Sequence, residues 1–354
     1  MLLELLKEAF PEGETLSATY YEAKKVIRDL GLGYDKIHAC IHDFVLFWKE
    51  NELKNKCPKC KTPRYVYDDG KNKRVPQEVL RHFPLIPRLQ RLFISKKTAI
   101  DMRWHKDKLV DDGVLRHPAD SEAWKDFDLK HMSFAMDGRN VRLGIASDGF
   151  NPFGNMSNSY TMWPVFVVPY NLPPWKCMKD PFFMMSLLIP GPKAPGNDID
   201  VYLQPLINEL KELWDVGVST YDAASRQNFC LQAAVLWTIN DFPAYGNLSG
   251  WSTKGKLACP SCNKDTSNKW LKHGNKTVYI RHRRFLPQNH KWRGSKTFDG
   301  TIEGDSKLES LSTENVLNQW SHVIQPCFGK GLDPQNKRKR LEKYLNWKKK
   351  SIFF

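Results

Sequence analysis

Apolar and polar positions first fall into a clear register at Val141, Leu143 and Ile145, which alternate with small or polar residues and predict a short strand. The strand stops at Asp148, where Gly149, Asn151, Pro152 and Gly154 turn the chain at once. A carboxylate left at a strand end by a turn can hold a metal ion. Asp also starts turns through its own side-chain hydrogen bonds, so this stretch by itself permits either role. The run Val165 to Val168, inside Trp163 to Tyr170, predicts a second strand and Phe182 to Ile189 a third, with Asn171 to Lys176 making a long hairpin loop. Leu206, Ile207, Leu210, Leu213 and Trp214 recur at helical spacing, with Gly217 as C-terminal cap. Pro205 suits a first turn and not a helix interior, so the helix is expected to begin there. Val216 to Thr220 reads as another strand. Asn228 to Asn240 is apolar throughout and delivers Asp241, and its pattern leaves helix or strand open.

On the N-terminal side, Leu2, Leu5, Leu6 and Phe10, then Ala23, Val26, Ile27 and Leu30, predict two short helices closed by Gly31 and Gly33. Residues 61–90 are polar and basic, and Ser121 to His131 reads as a short helix or irregular segment. Residues 295–336 read as a polar loop, followed by the basic clusters Lys337 to Arg340 and Lys348 to Lys350, which suit nuclear import, DNA contact or a solvated helix. The expected organisation is a helical lead-in (1–35), a zinc-ribbon-like module (36–68), a basic linker region (69–130), a core (131–258), an inserted zinc knuckle (259–294), and a polar loop with a basic tail (295–354).

A chain of 354 residues with 41% hydrophobic residues has enough material for two or three packed domains. No apolar run reaches membrane-spanning length, and Met1 to Glu8 lacks the plan of a signal peptide, so an intracellular, nuclear protein is expected. The net charge of +15 points to a polyanionic partner and says nothing about fold.

Four of the eight cysteines form two Cys-x-x-Cys pairs, which in an intracellular chain read as metal ligands. Cys57-Pro-Lys-Cys60 turns tightly enough for both thiolates to reach one tetrahedral zinc, and Cys40 is a third donor. His42 or His38 could complete that set. Cys259-Pro-Ser-Cys262 with His282 and His290 supplies two thiolates and two imidazoles, a complete set for a structural Zn2+. Arg281, Arg283, Arg284, Lys291 and Arg293 surround these histidines and are candidates for holding phosphates.

Asp148-Gly-Phe-Asn-Pro-Phe-Gly-Asn-Met-Ser157, Trp163-Pro-Val165, Pro169 to Trp175, Leu188-Ile-Pro-Gly-Pro-Lys193 and Asn240 to Trp251 together resemble the plant CACTA-type (Enhancer/Suppressor-mutator-like) transposases, over nearly the whole chain. The resemblance implies an α/β, RNase H-like DDE/D fold, with three strands, a helix, another strand and a second acid. It implies that Asp148 and Asp241 are the first two of the acids that hold Mg2+ or Mn2+ for phosphoryl displacement. Asp222 is a rival for the second place, and the Pro-Ala-x-Gly surroundings favour Asp241. A third acid on a later helix is expected beyond Phe354. A second thiol is expected four residues after Cys40, where this chain has Phe44. The implied function is strand cleavage and transfer at transposon ends, with DNA as partner, a homo-oligomer on those ends and no membrane. The alternative is a non-catalytic, zinc-stabilised DNA- or protein-binding remnant.

Overall fold

A mixed sheet organises the first of two compact units, residues 1–240; residues 241–354 form the second. The computed structural model describes residues 19–29, 31–67, 74–110, 112–154, 159–309, 311–321, 323 and 346–353. The helix expected over Leu2 to Phe10 and the basic cluster Lys337 to Arg340 lie outside them, and the second expected helix is Tyr20–Asp29 (α1).

The strands β1 (Asp35–Ala39), β2 (Leu46–Phe47), β3 (Tyr65–Tyr67), β4 (Arg74–Pro76) and β5 (Glu78–His82) come first, followed by helices α2 (Leu85–Ile94) and α3 (Glu122–Lys130). Then come β6 (Val141–Ser147), β7 (Trp163–Pro169), β8 (Met184–Ile189), α4 (Ile199–Asp215), β9 (Val218–Asp222), β10 (Gln227–Leu231) and β11 (Ala233–Ile239). The main sheet has the order β11-β6-β7-β8-β5-β1-β2. β11 runs parallel to β6, and every other pairing in this sheet is antiparallel. The stretch expected to be a basic linker thus supplies β5, which pairs with β8, while β1 and β2 continue the same sheet. Glu209 of α4 fastens this extension: its carboxylate accepts from the Leu85 and Ile86 amides (2.8 and 3.1 Å) and meets His82 Nε2 at 2.9 Å.

β6 is covered on both faces although its sequence alternates. Val141, Leu143 and Ile145 are fully buried, and so is Arg142 between them. A Cβ at Gly144 would run into the Tyr170 ring, so the glycine lets that ring lie against β6. The Arg142 guanidinium pairs with Asp128 (2.6 Å), donates to the Asn140 carbonyl (3.0 Å) and lies over Trp124 and Phe134 (5.1 and 4.8 Å).

Pro205 sits inside α4, which begins at Ile199 and not at the proline. The ring removes the N–H that would reach Val201, and the Gln204 side chain donates to that carbonyl instead (2.9 Å). The apolar stretch left open between helix and strand is two strands, parted at Gln232, whose N–H donates to Asn140 Oδ1 (3.0 Å). β10 closes a hairpin with β9, and β11 enters the main sheet beside β6.

The second unit contains α5 (Phe242–Ser249), the hairpin β12 (Asn268–Leu271) to β13 (Lys276–Tyr279), α6 (Thr313–Ser321) and the buried Trp251. The Trp251 ring packs edge-on against Trp347 (5.0 Å), which meets Trp320 (6.1 Å). α6 lies where a polar loop was expected, because Val316 and Trp320 at helical spacing give the segment a side to pack. Among the described residues no helix is long and apolar enough to cross a membrane.

His105, buried beside Arg142, carries the clearest pH signature of the core. Burial, and then the nearby guanidinium, lower its pKa from 6.5 to about 3. His117 is pushed down by burial as well. The unfolded chain therefore binds protons that the folded chain refuses, and stability is expected to fall as pH drops from 6.5 towards 3. The slope between pH 6.5 and 5, above the usual carboxylate range, should flatten in His105→Gln when unfolding midpoints are measured.

Candidate metal centre and acidic positions

Cys40 follows β1 directly, and its N–H is tied to the Val45 carbonyl (3.0 Å). The Cys57–Cys60 knuckle is closed by Lys61, which adopts a left-handed conformation (φ 63°) and donates to the Cys57 carbonyl (2.9 Å). These turns bring the ligand atoms of Cys40, Cys57 and Cys60 within 4.8 Å of one another, with Cys40 and Cys60 Sγ 3.4 Å apart. Three thiols at that spacing can hold a thiophilic cation such as zinc. Burial pushes the Cys40 thiol up to about 12, so a bound cation would have to displace its proton.

The fourth position is not filled as expected. Phe44 is buried and packs with Cys40, Phe47 and Cys57, so an apolar ring stands where the family resemblance calls for a thiol. His42 is exposed and outside the cluster. His38 Nδ1 instead accepts from Arg64 Nε (2.8 Å). Zinc bound here is expected to be lost, together with one equivalent in elemental analysis, in Cys57→Ser, whereas His42→Ala should leave it in place.

The second pair is arranged otherwise. The Cys262 N–H donates to Cys259 Sγ (3.3 Å), and buried Arg284 approaches Cys262 Sγ at 3.8 Å. His282 is exposed in the turn His282–Phe285, and His290 Nδ1 accepts from the Trp292 N–H (3.2 Å). Among the described residues Cys259 and Cys262 gain no third ligand at metal-binding distance, so the set Cys259, Cys262, His282 and His290 is not gathered.

The surrounding arginines also turn inwards. Arg283 donates to the Ser295 carbonyl (2.6 Å) and to Asp299 (2.8 Å), and Arg293, buried, donates to the Arg284 carbonyl (2.9 Å). Arg281 pairs with Asp305. Lys291 is exposed. The Arg283, Arg284 and Arg293 side chains staple the loop through its own carbonyls, Ser267 and Asp299.

Asp148 is exposed at the end of β6, one oxygen accepting from the Gly149 N–H (2.7 Å). Asp241 is exposed one residue past Asn240 and caps α5, accepting from the Ala244 N–H (2.8 Å). With its amide nitrogen turned to the sheet, Asn240 donates to the Ser147 carbonyl (3.1 Å), tying the end of β11 to that of β6. The rival Asp222 is buried, caps the β9–β10 turn through Ala224 and Ser225 (2.9 and 2.8 Å) and faces Arg139 at 3.6 Å, a structural position. Glu314 lies exposed in the first turn of α6, a helix the sequence pattern did not reveal.

No curated protein matches the chain. Residues 112–323, more than half of it, match the family model described as transposase family tnp2. The chain belongs to this transposase family. Asp148, Asp241, Cys259 and Cys262 of this tnp2-family chain all fall inside the match, whereas the three clustered cysteines precede it. The Arg142 cluster had no sequence signal, because a charged residue at a polar position of an alternating strand reads as solvent-facing.

Proposed function

We propose that this tnp2-family chain is the catalytic region of a metal-dependent DNA transposase, with an RNase H-like core in which Asp148 and Asp241 hold Mg2+ or Mn2+. The observation that supports this most directly is the order of the core: the antiparallel strands β6, β7 and β8, then α4, then β11 parallel to β6. Parallel neighbours end at the same sheet edge, and each of these two is followed within two residues by an aspartate. Two exposed carboxylates, each with one oxygen fixed by a backbone N–H and the other left over, are the hard donor set that such cations take. A bound pair of divalent cations would activate the attacking hydroxyl and stabilise the leaving oxygen. The aspartates contribute position and negative charge, and the basic surface of a +15 chain contributes attraction for the DNA backbone. The three-cysteine cluster fits a structural zinc. Action at transposon ends in the nucleus, as a homo-oligomer, completes the reading.

Fe2+ in place of Mg2+, with ascorbate and peroxide, generates radicals that cut the backbone beside the bound ion. Fragments ending near residues 148 and 241, suppressed by excess Mg2+, are the expected result. Cuts elsewhere alone would remove the proposed site.

A further inference from the structure

The turn that follows Asp148 carries two aromatic rings that its own geometry does not require. Phe150 is 45% exposed and Phe153 59% exposed. Gly149, Asn151, Pro152 and Gly154 already provide the turn: Asn151 Oδ1 accepts from the Phe153 N–H (2.9 Å), and Gly154 takes a left-handed conformation (φ 61°). The loop is also anchored. Phe150 and Met162 exchange both backbone hydrogen bonds at 2.9 Å, Phe153 stands edge-on to Tyr160 at 5.3 Å, and beneath Gly149 the Trp163 and Thr161 side chains leave no room for a Cβ. Thr161 in turn donates to the Pro192 carbonyl (3.0 Å), next to exposed Lys193.

Two phenyl rings exposed on an anchored turn, with exposed Lys193 next to the Pro192 that Thr161 reaches, suit a ligand with flat apolar faces and negative charge. A nucleic-acid strand with unstacked bases has both. We infer that Phe150 and Phe153 form a stacking platform for the bases of single-stranded DNA beside the phosphate to be cut. The choice of ligand rests on the function proposed above. It deepens it, because a phosphodiester can be presented to Asp148 in a defined register only if the neighbouring bases are held. Ring faces accept every base, so the platform sets position and strandedness and not sequence.

The test uses the whole chain with Ca2+ in place of Mg2+, which prevents cutting and leaves bound zinc in place, with a fluorescein-labelled single strand and the blunt duplex of the same sequence. Phe150→Ala/Phe153→Ala should bind the single strand about a hundredfold more weakly, on the order of tenfold per ring, with duplex affinity unchanged. Phe150→Tyr/Phe153→Tyr should restore single-strand binding. A 2-aminopurine in the strand should be quenched by the parent and the tyrosine variant but not by the alanine variant. Unchanged single-strand affinity, which would leave the rings to a protein partner, overturns the inference; so does an equal loss on duplex. The metal reading fails separately. Fe2+ cuts absent near residues 148 and 241, with base quenching intact, would defeat the metal site and leave the platform standing.

Discussion

Asp148→Asn is expected to lower Mg2+-dependent cutting of transposon-end DNA by about a thousandfold or more, the several kcal/mol that a lost metal-ion contact represents. The side chain keeps its size, and its remaining carbonyl can still accept from the Gly149 N–H. What it loses is the charge that would hold the cation. Asp241→Asn should behave alike for a further reason: asparagine caps a helix about as well as aspartate, so α5 keeps its first turn and the effect is confined to chemistry. DNA binding should persist or tighten slightly in both variants, since a negative charge near phosphate is gone. Efficient Mg2+-dependent cutting by the double variant, followed on labelled end DNA, would remove the two aspartates from the mechanism.

The second large effect is on stability, and it is asymmetric. Arg142 is 1% exposed and Asp128 29%. Asp128→Asn leaves a guanidinium enclosed by Trp124 and Phe134 without its counter-charge, at a cost of roughly 3 kcal/mol, the lower end for a broken buried pair because water reaches the carboxylate side. Arg142→Met removes the charge itself and fills similar space, while Asn140 keeps the donor it has in Asn171 (2.8 Å) and Asp128, partly in water, keeps the Trp124 Nε1 donor (3.1 Å). That change should cost less than about 1.5 kcal/mol. Urea unfolding separates the two, and equal losses would mean that the ion pair itself, and not the stranded arginine, carries the energy.

The strands of the core were legible because their signal is local. β7 and β8 lie where apolar runs between turn residues put them, and β6 ends at the expected aspartate. Tertiary partners decided the rest. The start of α4 depended on Gln204 compensating for Pro205, and the break between β10 and β11 on Gln232 reaching Asn140. The pairing of β5 with β8 joins segments far apart in sequence, which no periodicity reports. The metal ligands show the same limit. Knuckle spacing identified Cys57 and Cys60, and Cys40, read as their third donor, does join them from the end of β1, whereas the fourth ligand depended on where His38 and His42 face. The Cys259 pair had the more complete ligand set on paper, but Arg284 reaches one thiol and the two histidines lie elsewhere.

Because Cys40 is the residue directly after β1, the cysteine cluster is also a clamp on the margin of the main sheet. β1 has only two paired residues of β2 on its outer side. Amides at such a margin are expected to open by local unfolding, at a lower free energy than the whole unit. A cation joining Cys40 to the knuckle would fasten the end of that strand to a loop some twenty residues on. Amide exchange at Ile37 to Ala39 would then report whether the ion is present, slow when it is bound and faster after chelation, while the amides of β6 and β7, interior to the sheet, keep their rates.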